Sequence, residues 1–307
     1  MRVYFVSMES MVPIPHKLSA CIGFFDGIHL GHQHLIDTLK DEYKKAMITF
    51  DPDPYDIFHF PRVRKHLIAF NDKVNLCQSF GLDYLIVVKT SKRLLNLEPE
   101  EFIDWILKPL NIAHLTCGYD FKFGKDAKGD AHTLERFLNC DICIVEKVEY
   151  YGDKVSSSRI KQLLTEEDFN LAKYLLSRPY KLSGSVIPGN KQGRLIGFPT
   201  ANLAPDAKYH IPHEGVYAGY AIHDNQLYPA MINIGHNETF NYVRRISIEA
   251  HLLDFNKYCY GENIDLYFVK YIRPTFKFEN KEALVKQLNL DKKMTREIFN
   301  NVEPIIY

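Results

Sequence analysis

The sequence predicts two domains of different class: an α/β domain with a doubly wound parallel sheet over residues 1–180, and a small all-β barrel with a C-terminal helix over residues 181–307. Apolar segments alternate with helical segments in the first part, which is typical of a parallel sheet covered on both faces. After residue 180 the pattern changes to short alternating strands with turn residues between them. The length of 307 residues suffices for two domains.

The elements of the first domain follow from hydrophobic periodicity. Strands are expected at residues 18–22, 46–50, 83–89, 113–117 and 142–148, and helices at 73–80 and 98–110. The second of these strands is followed by DPDP, residues 51–54, whose prolines are expected to prevent both helix and further strand pairing there. Three loops, 23–32, 50–54 and 118–130, each follow a strand. We therefore expect them to meet at the carboxyl edge of the sheet, where α/β sheets bind ligands.

The second domain is predicted from five alternating segments. They cover residues 180–187, 215–223, 227–235, 246–255 and 263–272. Their spacing is that of a small barrel or a sandwich. A closing helix is expected over residues 280–301.

Composition narrows the class of function. Lys plus Arg equals Asp plus Glu at 38 each, so no global field attracts nucleic acid. The N-terminus lacks the apolar core of a signal peptide, and no apolar run approaches the roughly 20 residues of a membrane helix. Six dispersed cysteines suggest free thiols in a reducing compartment, so we expect a cytoplasmic protein. From the balanced charge and the lack of a long apolar run, we expect neither nucleic-acid nor membrane partners. Cys140 and Cys143 form a C-x-x-C within an expected strand and are interpreted as buried core residues.

The stretch GFFDGIHLGH, residues 23–32, is the first candidate site. An apolar strand precedes it and a helical pattern follows, so the turn precedes a helix N-terminus, where backbone N–H groups and the helix dipole bind phosphate. His29 and His32 lie three apart and can share one side of the first turn, donating hydrogen bonds to phosphate oxygens. Ordinary capping or surface histidines are the alternative.

Two further segments carry phosphate-binding residue types. The sequence VSSSRIKQLL, residues 155–164, offers serine hydroxyls with Arg159 and Lys161 nearby, although Ser156, Ser157 and Ser158 can equally cap a helix. The loop GNKQGRLIGFPTANL, residues 189–203, contains three glycines that let the backbone approach a ligand closely. Its Thr200 and Asn202 offer oxygen ligands suited to Mg²⁺, and a plain glycine hairpin is the alternative.

Glu249 is the candidate base of the second domain. Strand alternation places it on one face with Ser247 and His251, and Ile248 and Ala250 on the other. A carboxylate at the mouth of a barrel could take a proton from a substrate hydroxyl. Taken alone, a solvent-facing strand residue is the simpler interpretation.

Taken together, these motifs resemble those of the bacterial bifunctional riboflavin kinase/FMN adenylyltransferases, or FAD synthetases. The shared motifs, in order, are GFFDGIHLGH, TFDPDP, GYDFKFGKDAKGD, VSSSRIK, GRLIGFPTANL, GVYAGYA, INIGHNETF and a long block beginning EAHLLDF. The resemblance covers nearly the whole chain. It implies a nucleotidyltransferase (Rossmann-like) domain at 1–180 and a riboflavin-kinase barrel at 181–307. The implied reactions are phosphorylation of riboflavin to FMN by ATP, and adenylylation of FMN by a second ATP to FAD and pyrophosphate.

The resemblance also implies roles for particular residues. Glu249 matches the family's proposed base, and His29 and His32 match the imidazoles at the triphosphate. Thr200 and Asn202 match its Mg²⁺ and phosphate ligands. The nucleotide-binding positions of the adenylyltransferase correspond to Gly23, Phe25, Asp26, Gly31, Asp120, Ser157, Ser158 and Lys161. Those of the kinase correspond to Gly189, Gly193, Arg194, Gly197 and Pro199. The expected partners are small-molecule substrates, and the expected state is a monomer or weak homo-oligomer.

Four positions depart from the family pattern. Thr275 and Glu238 lie in the second domain, outside the residues assigned to phosphates, and the other two lie in the first domain. Asp53 stands where TFxPHP has histidine, and an acid near triphosphate would repel it unless it holds Mg²⁺ or points away. Lys161 replaces an arginine, keeping the charge but losing the bidentate fork. The alternatives are therefore a riboflavin kinase with weak or lost adenylyl transfer, and a flavin- or nucleotide-binding regulator without turnover.

Overall fold

The computed structural model describes residues 1–190, 192–238 and 244–301, with only the backbone at 237, 238, 244 and 245. Lys191 and the last two residues of INIGHNETF, Thr239 and Phe240, lie outside the described residues, as do residues 302–307 of the second domain. The chain divides into two compact units. One contains residues 1–65 and 70–156, and the other contains residues 66–69 and the described chain from Ser157 onward. The domain boundary at residue 180 stays a prediction.

The first unit is built on a six-stranded sheet whose paired strands all run parallel. Its strands, in chain order, are β1 Arg2–Val6, β2 Leu18–Ile22, β3 Lys44–Asp51, β4 Tyr84–Lys89, β5 Ile112–Gly118 and β6 Asp141–Val145. Their spatial order is β1-β4-β3-β2-β5-β6. The chain moves outward from β2 to β4 and then resumes beside β2 with β5, so the topological switch point lies between β2 and β5. In open α/β sheets, ligands bind at that point.

The predicted α/β class is confirmed, with differences at three elements. Edge strand β1 was not predicted. The helix expected at 98–110 is α-helical only over Pro99–Phe102 and continues as a π-turn, Ile103–Leu107, and a 3₁₀ turn containing Pro109. The expectation that DPDP forbids helix was wrong, because a short helix begins at Pro54, where a proline's missing N–H costs little.

Helices and one small hairpin complete the first unit. The remaining helices are Leu30–Asp37, Pro54–His59, Phe70–Ser79, Lys92–Leu95, Lys125–Ala127 (3₁₀) and Ala131–Phe137. The hairpin pairs β7, Glu149–Tyr150, with β8, Asp153–Lys154. A buried apolar core that includes Leu18, Ile86 and Ile103 packs the sheet against this helical layer.

The second unit contains a closed six-stranded barrel, which settles the choice between barrel and sandwich. Its strands are β9 Tyr180–Ile187, β10 Ala201–Pro205, β11 Gly215–His223, β12 Gln226–Glu238, β13 Arg244–Leu252 and β14 Asn263–Arg273. Its helices are Ser157–Thr165, Phe169–Leu176, Gln192–Leu195 and Lys281–Asn300. The loop expected at 189–203 is therefore shorter than predicted, because a helical turn and the start of β10 lie within it. The closing helix is confirmed, and Asn280 caps it by accepting a hydrogen bond from the Ala283 N–H at 2.8 Å.

All six cysteines are free thiols. Cys140 and Cys143 are half-buried, so the expectation that they are buried core residues was wrong. Cys143 lies on β6, the last strand of the sheet, which has a neighbour on one side only. An edge strand leaves more of its side chains accessible than a central strand does.

Candidate active sites

The turn after β2 has an unusual backbone. Phe25, Gly27 and Ile28 all have positive φ angles, of 57°, 88° and 43°. Such angles are uncommon for residues with a side chain, and a strained backbone of this kind persists only where its surroundings hold it. Phe25 and Ile28 are buried, at 1% and 0% exposure, so packing fixes the turn. The turn lies at the switch point of the sheet, where the sequence predicted a phosphate site.

The two histidines of this turn lie together. Their rings stack with centroids 3.7 Å apart, and His29 is the N-cap of the helix Leu30–Asp37. His29 Nδ1 accepts a hydrogen bond from the His32 N–H at 3.4 Å. A Cβ at Gly31 would approach the His29 ring to 3.2 Å, so glycine gives that ring room. The predicted sharing of one side of the first turn is thus confirmed.

His32 is held neutral near neutral pH. Burial, and then the neighbouring His29 and Lys73, lower its pKa well below the ordinary value of 6.5. Its Nδ1 is buried and makes no hydrogen bond within the described part of the chain. A neutral imidazole can donate one hydrogen bond to a phosphate oxygen, in line with the predicted chemistry.

The three loops expected at one edge do meet there, because they follow the adjacent strands β3, β2 and β5. The loops after β2 and β3 lie close together, because Asp26 from one loop and Asp51 and Asp53 from the other all raise the pKa of the same Lys73 ammonium. The third loop contributes Asp120, which is exposed and forms an ion pair with Lys154. The positive charge of Lys154 in turn contributes to lowering the pKa of His32, which lies in the segment 23–32 after β2.

The structure gives Asp53 a local role. It is 7% exposed, and its Oδ1 accepts a hydrogen bond from the Tyr55 N–H at 2.8 Å, which caps the helix Pro54–His59. The serine segment begins the helix Ser157–Thr165, with Ser156 immediately before it. Its residues Ser157, Ser158 and Lys161 belong to the second unit, and their phosphate-binding role stays a prediction.

In the barrel, Glu249 lies between two asparagines. Glu249 on β13 is directly opposite Asn202 on β10 and Asn233 on β12. Residues directly opposite each other on antiparallel strands point to the same face. Thr200 donates a hydrogen bond from Oγ1 to Glu249 Oε2 at 3.4 Å. A carboxylate, two amides and a hydroxyl therefore share one surface, and Asn233 was not predicted.

Two cavities border this cluster, and both include Thr200 in their walls. One, of about 380 Å³, is lined by residues that include Gly193, Asn233, Glu249 and His251. The other, of about 420 Å³, includes Arg194, Pro199 and Tyr260. Both volumes are in the range of small-molecule sites. The expected common face of Glu249 and His251 is confirmed, whereas Ile248 and Ala250 are buried, at 3% and 0% exposure.

The glycine loop is shaped around these residues. A Cβ at Gly189 would come within 2.2 Å of the Asn202 side chain, and one at Gly193 within 2.2 Å of the Phe198 carbonyl oxygen. Gly197 has a φ of +83°. His251 fixes the end of the loop, since its Nδ1 donates to the Pro199 carbonyl oxygen at 2.7 Å. Burial lowers the pKa of His251, which favours the neutral ring.

Arg273 closes the first cavity and was not predicted. Its Nε and Nη2 donate to the Asp291 carboxylate at distances of 2.8–3.2 Å, and Asp291 is fully buried. The guanidinium lies over the rings of Phe276 and Phe278, with centroids 4.7 and 5.8 Å away. Arg273 and Asp291 are 18 residues apart in sequence, so no local pattern could pair them.

The donor atoms beside Glu249 fit a hard divalent cation. Mg²⁺ prefers carboxylate, carbonyl and hydroxyl oxygens. Asn202 Oδ1 on β10 and Thr200 Oγ1, from the residue just before that strand, supply such oxygens beside the Glu249 carboxylate. Thr200 and Asn202 would hold the ion.

The chain thus combines a unit built on a parallel sheet and a unit built on a closed barrel, each with its own candidate site. Family models match both parts: FAD synthetase over residues 12–159 and riboflavin kinase over residues 176–299. A bifunctional riboflavin kinase/FMN adenylyltransferase from Listeria monocytogenes is 36% identical over 92% of both chains. Its counterpart in Bacillus subtilis is 38% identical over 93% of this chain and 94% of its own. The chain belongs to the family of bifunctional riboflavin kinase/FMN adenylyltransferases.

A solved structure matches the whole architecture. A crystal structure titled as a macrolide-efflux protein from Streptococcus pneumoniae has a TM-score of 0.87 and 30% identity, and the match covers 95% of this chain and 98% of that chain. In the part of our chain that the structure describes, no helix is both long and apolar enough to traverse a lipid bilayer.

Proposed function

We propose that this chain makes both flavin nucleotides in sequence, phosphorylating riboflavin to FMN in the barrel and adenylylating FMN to FAD in the first unit. One observation supports the proposal: each unit contains its own cluster of side chains of the types that can bind or transfer phosphate groups. The histidine pair lies at the switch point of the parallel sheet, and Glu249 lies beside two cavities in the barrel.

In the kinase reaction, Glu249 accepts the proton of the riboflavin 5′-hydroxyl as that oxygen attacks the γ-phosphorus of ATP. The bond from the γ-phosphorus to the β,γ-bridging oxygen breaks, and ADP leaves. The cavity that includes Glu249 takes the flavin, and the one that includes Arg194 takes the nucleotide, so Thr200 lies between them. Phosphoryl transfer depends mainly on such positioning and on charge neutralisation.

Mg²⁺, when bound, neutralises phosphate charge next to the transferred group. Thr200 and Asn202 are its proposed ligands. The nucleotide loop contributes Gly189, Gly193, Arg194, Gly197 and Pro199. The close approach of Gly189 to Asn202 keeps that amide beside Glu249.

In the adenylyl transfer, a phosphate oxygen of FMN attacks the α-phosphorus of ATP, and pyrophosphate leaves. His29 and His32 donate hydrogen bonds to phosphate oxygens as negative charge builds up in the transition state. The N-terminus of the helix Leu30–Asp37 adds the positive end of its dipole. The turn that carries these histidines is formed in part by four further proposed nucleotide-binding residues, Gly23, Phe25, Asp26 and Gly31. Asp120 is a further proposed nucleotide contact in the first unit. The family resemblance implies a nucleotide-binding role for Ser157, Ser158 and Lys161 as well.

A riboflavin kinase with weak or lost adenylyl transfer is the second candidate. Asp53 and Lys161 favour it, since both depart from the family pattern in the first domain. Against it, the Asp53 carboxylate is engaged in capping the helix that starts at Pro54. A cytoplasmic location and a monomeric or weakly oligomeric state stay predictions from the sequence.

The experiment is a two-stage product assay. Purified protein is incubated with ATP and Mg²⁺ plus riboflavin, and separately plus FMN, and the flavins are resolved chromatographically. We expect the first mixture to form FMN from riboflavin and the second to form FAD from FMN. Chains carrying Glu249→Gln or His32→Asn should each lose one conversion and keep the other.

A further inference from the structure

The helix Phe70–Ser79 buries a lysine at the base of the first site. Lys73 is 6% exposed, whereas lysine is rarely buried without a partner. Burial is the main cause that lowers its pKa, to about 8, while the charges of Asp26, Asp51 and Asp53 oppose that change. The ammonium therefore stays mostly charged near neutral pH. Neither reaction described above uses it.

The contacts of Lys73 join the turn after β2 to strand β3. Its Nζ donates to the Phe24 carbonyl oxygen at 2.8 Å and to Thr49 Oγ1 at 3.2 Å. Thr49 Oγ1 also donates to the Phe24 carbonyl oxygen, at 3.0 Å. The ammonium lies 4.8 Å from the centroid of the Phe24 ring. One carbonyl at the start of the turn is thus held by both a charged and a neutral donor.

The residues after Phe24 are those with positive φ angles, Phe25, Gly27 and Ile28. Backbone of this kind needs outside contacts to persist. Its far end carries His29 and His32, whose stacking depends on the path of the turn. Holding the Phe24 carbonyl therefore fixes the start of the segment that aims both imidazoles.

Lys73 also contributes charge. Its ammonium acts electrostatically on His32, together with His29, Asp26 and Lys154. Three carboxylates, from Asp26, Asp51 and Asp53, act on Lys73 itself. Without a cation among them, these carboxylates would repel a bound triphosphate. Lys73 therefore offsets part of the negative charge beside the turn that carries His29 and His32.

We propose that Lys73 is a positioning residue for adenylyl transfer, which fixes the turn that carries His29 and His32 and offsets the carboxylates beneath it. The proposal rests on the adenylyl transfer proposed above. It does not require Lys73 to touch either substrate.

The test is Lys73→Met, with FMN adenylylation and riboflavin phosphorylation measured on one preparation. We expect kcat for adenylylation to fall on the order of 100-fold, as for a small misplacement of reacting groups, with little change in the kinase rate. Lys73→Arg, which keeps the charge, should recover part of the loss. Lys44→Met is the matched control, because Lys44 lies on β3 in an exposed ion pair with Asp83 and should leave both rates unchanged.

An NMR titration of His32 separates an electrostatic effect from a purely structural one. Removing the Lys73 charge should raise the pKa of His32, whereas Lys44→Met should not. If Lys73→Met destabilises the first unit, Thr49→Val decides, since it removes only the bridging hydroxyl and should lower kcat for adenylylation several-fold.

Wild-type adenylylation kinetics in Lys73→Met or Thr49→Val, an equal loss of both activities, or an unchanged His32 pKa in Lys73→Met would overturn the inference. If the wild-type chain forms no FAD from FMN, the proposed function itself fails. The His32 titration then still tests the electrostatic influence of Lys73.

Discussion

Glu249 and Asn202 face each other across antiparallel strands β13 and β10, and Thr200 donates a hydrogen bond to the same carboxylate. The carboxylate and the amide are thereby fixed by strand register, and Thr200 adds its hydroxyl from the residue just before β10. Gly189 adds to this arrangement, since any side chain there would collide with Asn202.

Glu249→Gln removes the proposed base while keeping the size of the side chain and its capacity for hydrogen bonds. We expect the rate of riboflavin phosphorylation to fall about 100- to 10,000-fold, which is the usual contribution of general base catalysis. Conversion of added FMN to FAD should be unaffected. Retention of the parent phosphorylation rate would assign the proton transfer elsewhere and reopen the interpretation of the chain as a binding regulator.

His32→Asn removes an imidazole donor of the first site. The rate of FAD formation from FMN should fall about 100- to 1,000-fold, comparable to the loss of one preorganised transition-state donor. FMN formation from riboflavin serves as the internal control. An unimpaired rate of FAD formation would place the chemistry of the first unit elsewhere.

Asp53→His distinguishes a working adenylyltransferase from an impaired one. Because the Asp53 carboxylate caps the helix beginning at Pro54, we expect no increase in FAD formation and a loss of stability of about 1 kcal/mol. Asp53→Asn, which keeps a capping oxygen but removes the charge, is the control. A clear increase with histidine would favour the riboflavin kinase with impaired adenylyl transfer.

Much of this architecture could be predicted, because periodicity and turn residues are local. Strands β9 and β11 agree with the prediction residue for residue. The candidate site residues His29, Thr200 and Glu249 could be proposed from the sequence, because each belongs to a compact motif. Lys73 and Arg273 could not be predicted, since their partners Phe24 and Asp291 become neighbours only in the folded chain.

Arg273 and Asp291 form a buried ion pair that should matter for stability. Arg273→Met leaves the Asp291 charge buried without its partner and should lower the free energy of unfolding of the second unit by about 3–5 kcal/mol. Replacing both residues with apolar side chains should lower the free energy of unfolding by a smaller amount. Urea unfolding measures the free energies, and a loss in the double variant as large as in Arg273→Met would contradict this account.

The barrel should lose stability in mild acid. Burial places the pKa of folded His251 below the value of 6.5 expected for the unfolded chain. The unfolded chain then binds more protons, so the stabilising contribution is full above about 6.5 and is lost as pH falls through the lower, folded pKa. Urea unfolding at pH 7.5 and 5 should show a smaller decrease for His251→Gln than for the parent, and equal decreases would rule out this role.

The measurement that tests the central claim most directly follows flavins over time after riboflavin, ATP and Mg²⁺ are mixed with the purified chain. Our account predicts that FMN appears first and is then converted to FAD, with pyrophosphate released in step. Accumulation of FMN with no FAD, or no product at all, would contradict it.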